Sequence, residues 1–226
     1  MKTKKLLILP IVAVLFSSCA KEESENVNQD SIYTNYHLEY NKNEDKTHAR
    51  ATFRFGGITG TLLELNAPAD VTFSGDMLTY NSLWGTHEIE YAGMISSGTF
   101  VYTDLDNNEY TNTTQVMDTI DFPAILDTLN PANAYTFEWD GVPVKADEVV
   151  SLSIDGTQQN NFEYFSTSNS GATTLVLAAS DLQNLGTGNA TCTLKRERGT
   201  NNLSQPTAEG GRIAVEYTVT KTIYIQ

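Results

Sequence analysis

Basic residues are scarce in this 226-residue chain: 14 Lys and Arg stand against 28 Asp and Glu, for a net charge of −14. They form no cluster, and backbone recognition of nucleic acid needs clustered cations to displace counterions, so the composition argues against a nucleic-acid partner. Cysteine is rarer still. Only Cys19 and Cys192 occur, which excludes a disulfide framework. The three histidines, His37, His48 and His87, share no spacing that converges on a transition metal. There is no Gly-x-Ser-x-Gly elbow, no His-Glu-x-x-His pair and no phosphate-binding glycine loop, and nothing in the sequence calls for a cofactor. Amphipathic helical periodicity is almost absent, and no apolar run reaches the roughly 20 residues that span a bilayer.

What is present begins at the N-terminus. Lys2, Lys4 and Lys5 precede an apolar run over residues 6–16, and the small residues Ser17 and Ser18 lead to Cys19. A charged start, a short apolar segment and small residues at its end make residues 1–18 a cleaved secretion signal. The string Leu15-Phe16-Ser17-Ser18-Cys19 resembles the lipobox of bacterial lipoproteins. That resemblance implies that Cys19 becomes the new N-terminus and carries acyl chains such as palmitate, two or more of which suffice for stable anchoring. Removing the three lysines takes the charge from −14 to −17, so the lipid rather than electrostatics must hold the chain to an anionic surface.

Lys21, Glu22 and Glu23 follow directly and resemble the short acidic export signal of Bacteroidota-type lipoproteins, which implies an outer-membrane location facing the cell exterior. Asp30-Ser31-Ile32, Asp118-Thr119-Ile120 and Asp127-Thr128-Leu129 match the three-residue O-glycosylation motif of that group. Ser31, Thr119 and Thr128 are thereby candidate acceptors, although Asp-Thr turns before strands produce the same pattern. Residues 19–33 hold almost no apolar side chains and read as a lipidated, flexible acidic tether with a reach of about 40 Å.

From Thr34 onward the hydrophobic period is two, the mark of half-buried strands. Ala49, Ala51, Phe53 and Phe55 alternate with His48, Arg50, Thr52 and Arg54, and the same alternation recurs around Ile89, Phe100, Tyr135, Val150, Leu175, Cys192 and Val215. Turn signals separate these runs at sandwich-like spacing, and the one helical piece, residues 180–185, has Ser180 as its candidate cap. The pattern predicts an all-β chain with two tandem antiparallel β-sandwich domains, residues 34–118 and 119–226. The second piece, through Tyr135-Thr136-Phe137-Glu138-Trp139-Asp140-Gly141, Gly171-Ala172-Thr173-Thr174-Leu175-Val176-Leu177 and Thr191-Cys192-Thr193-Leu194-Lys195-Arg196, resembles the immunoglobulin-like modules of bacterial surface proteins. Such modules carry many functions, so the resemblance bears on the fold alone.

Few residues stand out as functional. Trp84 lies off the alternating pattern in the loop after Tyr80, and these two aromatic residues are the candidate ligand contacts, since sugar rings and peptides dock on flat amphipathic side chains. Trp139 is in step with Tyr135 and Phe137 and reads as core. Asp104, Asp106 and Asn108 place oxygen ligands two apart, a weak calcium pattern that lacks the glycine and terminal glutamate of an EF-hand. Glu88 and Glu90 share one strand face at about 7 Å, within the range for a carboxylate glycoside hydrolase. The sequence therefore favours a non-enzymatic, lipid-anchored surface protein that serves binding, adhesion or an envelope complex, with a glycan or an envelope protein as partner. A small glycan hydrolase and a structural spacer are the alternatives.

Overall fold

A computed structural model describes residues 21–157 and 161–226; the signal segment and Cys19 lie outside the described residues. The first half runs β1 (Lys21–Glu23), β2 (Ile32–Asn41), β3 (Lys46–Phe55), β4 (Thr61–Glu64), β5 (Asp70–Phe73) and β6 (Asp76–Met77). It continues with β7 (Thr79–Asn81), β8 (Thr86–Ala92), β9 (Thr99–Thr103) and β10 (Glu109–Thr113). The second half contains β11 (Ile120–Asp121), β12 (Thr128–Leu129), β13 (Tyr135–Glu138), β14 (Asp140–Gly141), β15 (Glu148–Asp155) and β16 (Phe162–Thr167). It closes with β17 (Thr174–Leu177), α1 (Ala179–Leu182), β18 (Gly188–Thr200) and β19 (Gly211–Ile225). The fold is all-β and sandwich-like.

One principal sheet runs in the order β1-β4-β3-β2-β19-β18-β15-β16, with β8 and then β7 attached along β3. Strict alternation builds it. Tyr36 and Leu38 of β2 and Ala49, Ala51 and Phe53 of β3 are fully buried on one side, while His37, Glu39, His48 and Arg50 stand on the other. A smaller sheet, β10-β9-β5-β6, closes over the buried side. Its Phe100 stacks on Tyr36 with ring centroids 4.9 Å apart, and its Tyr102 meets Phe53 at 4.7 Å. In the second half Phe137, Leu175 and Leu177 join Val150, Leu152, Ile154, Cys192 and Leu194 in the same continuous core. Trp139 is buried, as its parity predicted.

The two halves, divided in sequence near residue 118, are joined by more than a linker. Strand β19 pairs with β18 on one side and, in parallel, with β2 on the other, with Gly211 opposite Thr34 and Thr218 opposite Asn41. Most ladders are antiparallel; this one, β1 on β4 and β12 on β19 are parallel. The helical piece is present but begins at Ala179, and Ser180 bonds Asp181 instead of capping it. Leu182 and Leu185 bury against the core as their spacing predicted.

The flexible tether is corrected by the structure. Residues 21–31 are built onto the sheet edge: Lys21, Glu22 and Glu23 pair in parallel with Leu62, Leu63 and Glu64. Ser24 is fully buried and its Oγ accepts the Asn66 N–H, while Gln29 Nε2 donates to the carbonyls of Ser24 and Val27. Composition misreads this segment because backbone pairing and polar side-chain bonds, rather than apolar burial, hold it.

A sheet shared by both halves couples their stability. Calorimetry of the chain is expected to give one unfolding transition whose calorimetric and van't Hoff enthalpies agree; two separated transitions would show that the halves unfold independently.

Candidate ligand-binding face

The outer side of the principal sheet is the most organised solvent-facing surface among the described residues. Strand alternation sets one polar residue after another across it. In register from the β8 side stand Glu88 of β8, Arg50 of β3, and His37 and Glu39 of β2. Glu216 of β19, Glu197 and Lys195 of β18, and Ser151 and Ser153 of β15 continue the row. Tyr164 and Phe162 of β16 end it.

The charges on this face are held in pairs. Arg50 donates to Glu39 through Nη1 and to Glu88 through Nε, the latter at 3.3 Å. Asn81 Nδ2 donates to the other Glu88 oxygen at 2.6 Å. Lys195 Nζ donates to Glu216 Oε1 at 2.7 Å, Lys46 pairs with Glu90 at 2.7 Å, and Arg212 pairs with Glu197. Burial pushes the Glu216 carboxyl up, but the bonds from Lys195 and Thr218 and the field of His37 outweigh it, so the group is held below the usual carboxylate range. Lys46 does the same to Glu90. His37, 4.0 Å from Glu216, is held below its ordinary value mainly by burial, against the pull of Glu216 and Glu39. Carboxylates held ionised in this way suit accepting hydrogen bonds rather than delivering a proton to a leaving group.

A cavity opens at each end of the face. At the β8 end, Trp84, Arg50, Thr86 and Glu88 line about 350 Å³, and Trp84 is 71% exposed. At the β16 end a cavity of about 490 Å³ has Ser151, Ser153, Lys195, Glu197 and Glu216 as its floor. Phe162 and Tyr164, 53% and 57% exposed, form its wall. Sequence reading identified Trp84 and missed this second pair. Phe162 and Tyr164 do alternate with Glu163 after the Asp155-Gly156 turn, which is the signal that was available.

Tyr80 does not join Trp84. It has the parity of buried His87, against which its ring tilts at 4.9 Å, and Lys21 Nζ lies 5.9 Å from its centroid. His87 itself is a core residue: its ring meets Phe53 edge-on, and its Nε2 accepts the Leu65 N–H. The loop at residues 104–108, where the sequence shows the weak calcium pattern, is held by its own hydrogen bonds. Asp104 is 3% exposed and spends both oxygens on its own loop, accepting from the Asp106 and Asn108 amides, the Asn108 side chain and the Tyr110 hydroxyl. Among the described residues no group of three His, Cys, Asp or Glu could hold a metal ion. Of the candidate glycosylation acceptors, Thr119 and Thr128 are exposed and Ser31 is half-buried. Cys192 is a buried free thiol with a pKa pushed up to about 12 by burial.

In comparisons with known proteins, no family model matches the chain and no curated protein is detectably similar to it.

Three measurements check these local assignments. Burial lowers the His87 pKa to about 4, below its unfolded value near 6.5, so this residue's stabilising contribution is present above pH 6.5 and lost as pH falls towards 4. The loss should reach about 3 kcal/mol in urea unfolding, and His87→Gln should remove that part of the pH dependence. Asp104→Ala should cost about 2–3 kcal/mol by leaving the loop donors unpaired. Millimolar calcium should leave the Tm of the native chain unchanged.

Proposed function

We propose that this chain is a non-enzymatic, lipid-anchored protein of the outer cell surface that binds a glycan chain across the outer face of its principal sheet. The observation that supports this most is the floor of matched charges ending on the exposed rings of Phe162 and Tyr164. Aromatic faces stack on the apolar faces of sugar rings, while fixed carboxylates, Lys195 and the Ser151 and Ser153 hydroxyls offer hydrogen-bond acceptors and donors at set positions. Because Lys195 and Arg212 are already paired with Glu216 and Glu197, a neutral chain is accommodated without separating them, whereas an acidic one would compete with those carboxylates. From Glu88 to Tyr164 the face crosses seven strands, about 29 Å at the usual strand spacing, which suits an extended ligand better than a small molecule.

The anchoring part of the reading rests on the lipobox resemblance at Cys19. Cys19→Ala should move the protein from the membrane fraction to the soluble fraction, and external protease should cleave the native chain on intact cells. A native chain that is membrane-bound but protected would mean that it faces the periplasm.

The binding part is tested by titrating neutral and acidic oligosaccharides against the native chain and a Phe162→Ala/Tyr164→Ala variant. A neutral oligosaccharide is expected to bind, and the variant to lose at least about tenfold in affinity, or about 1.4 kcal/mol, with an unchanged Tm. Equal affinities would contradict the assignment of this face.

A further inference from the structure

The chain enters the fold at one corner of the sheet, and that corner carries exposed apolar side chains. β1 begins at Lys21, opposite Leu62 of β4. Leu62 in turn lies under the turn between β7 and β8, so close that a side-chain carbon added to Gly85 would come within 2.8 Å of its Cδ1. Gly85 also adopts a φ of +64°, which favours glycine. The adjoining residues of that turn, Leu83 and Trp84, are 79% and 71% exposed. Ile58, in the turn that leads into β4, is 63% exposed. Asn81 fixes the first turn, its side-chain oxygen accepting the Leu83 N–H and its carbonyl the Gly85 N–H, so the two apolar side chains are presented by a defined backbone.

Cys19 is two residues before Lys21, a separation of about 7 Å at most. If residues 21–31 were a free tether, the body could stand some tens of ångströms from the lipid; paired on β4, they hold it close. We propose that the Leu83-Trp84 turn, together with Ile58 of the turn into β4, is a membrane-contacting foot that enters the boundary between headgroups and acyl chains next to the acylated Cys19. This inference rests on the lipid-anchor reading above. Trp and Leu are the side chains that settle at this depth, and Lys21 and Arg54, which stand opposite Leu62 on its two neighbouring strands, bring an ammonium beside Tyr80 and a guanidinium bonded to the Gly60 carbonyl to the corner, cations suited to headgroup phosphates. Glu22 and Glu23, exposed on β1, keep the contact at the boundary and out of the hydrocarbon. With the β1 corner on the lipid, the β16 edge bearing Phe162 and Tyr164 lies at the far side of the sheet.

The test uses the full chain purified from membranes, its acylation read by intact mass, and reconstituted into phosphatidylcholine vesicles with and without brominated acyl chains. Trp139 is buried, and subtracting the emission of a Trp84→Phe variant isolates Trp84. The expected result is that Trp84 emission shifts to shorter wavelength relative to soluble Cys19→Ala protein and loses most of its intensity in brominated vesicles. In an Ile58→Ser/Leu83→Ser variant that loss should fall by about half. Acylated protein whose Trp84 emission is neither shifted nor quenched overturns the foot while leaving the anchor in place. Absence of acyl mass overturns both.

Discussion

Strand β19 is the member on which the other parts of the structure depend. Its fifteen residues lie in the middle of the principal sheet, paired along β18 on one side and, through Gly211 to Thr218, along Thr34 to Asn41 of β2 on the other. On the inner side Ile213, Val215, Tyr217 and Val219 fill the core between the two halves, with Tyr217 meeting Tyr40 of β2 at 5.2 Å. On the outer side Arg212 and Glu216 supply partners to Glu197, Lys195 and His37. One strand thus fixes both the continuity of the core and the register of the charged face, because a slip of one residue would exchange the two sets.

That register explains why the outer face is polar yet ordered. Surface ion pairs taken singly contribute little to stability. Here they are set at strand spacing on a rigid sheet and several share partners, as Glu39 and Glu88 share Arg50. The arrangement offers a ligand fixed donors and acceptors at small reorganisation cost, the condition under which polar recognition gains specificity. The two ends of the face then divide the work. The Trp84 corner lies beside the point where the chain enters the fold, and the Phe162 and Tyr164 wall lies at the opposite edge.

Much of the fold was legible in the sequence because alternation reports burial directly. The exposed parity of His48 and Arg50, the core position of Trp139 and the exposure of Trp84 all follow from period two and its interruption. The parts that were not legible depend on contacts between distant segments. Nothing local says that residues 211–218 pair in parallel with residues 34–41, a partnership across more than 170 positions. Arg196 is buried, its guanidinium reaching the Val142 carbonyl and lying 3.9 Å from buried Glu148, partners far from it in sequence. Residues 21–31 look disordered by composition because their order comes from β4 and from Ser24 and Gln29, which hydropathy does not register. Asp104 shows the converse: a spacing suited to a cation is satisfied by the loop's own amides.

The central claim is that the outer face of the principal sheet, and not another exposed surface of the molecule, meets the ligand. Hydroxyl-radical footprinting of the native lipoprotein on intact cells, compared with purified Cys19→Ala protein, tests it most directly. The account predicts that oxidation of Phe162 and Tyr164 falls on the cell surface while that of exposed Val116, Ile125 and Val176 is unchanged. Protection of those three residues with Phe162 and Tyr164 still fully reactive would contradict it.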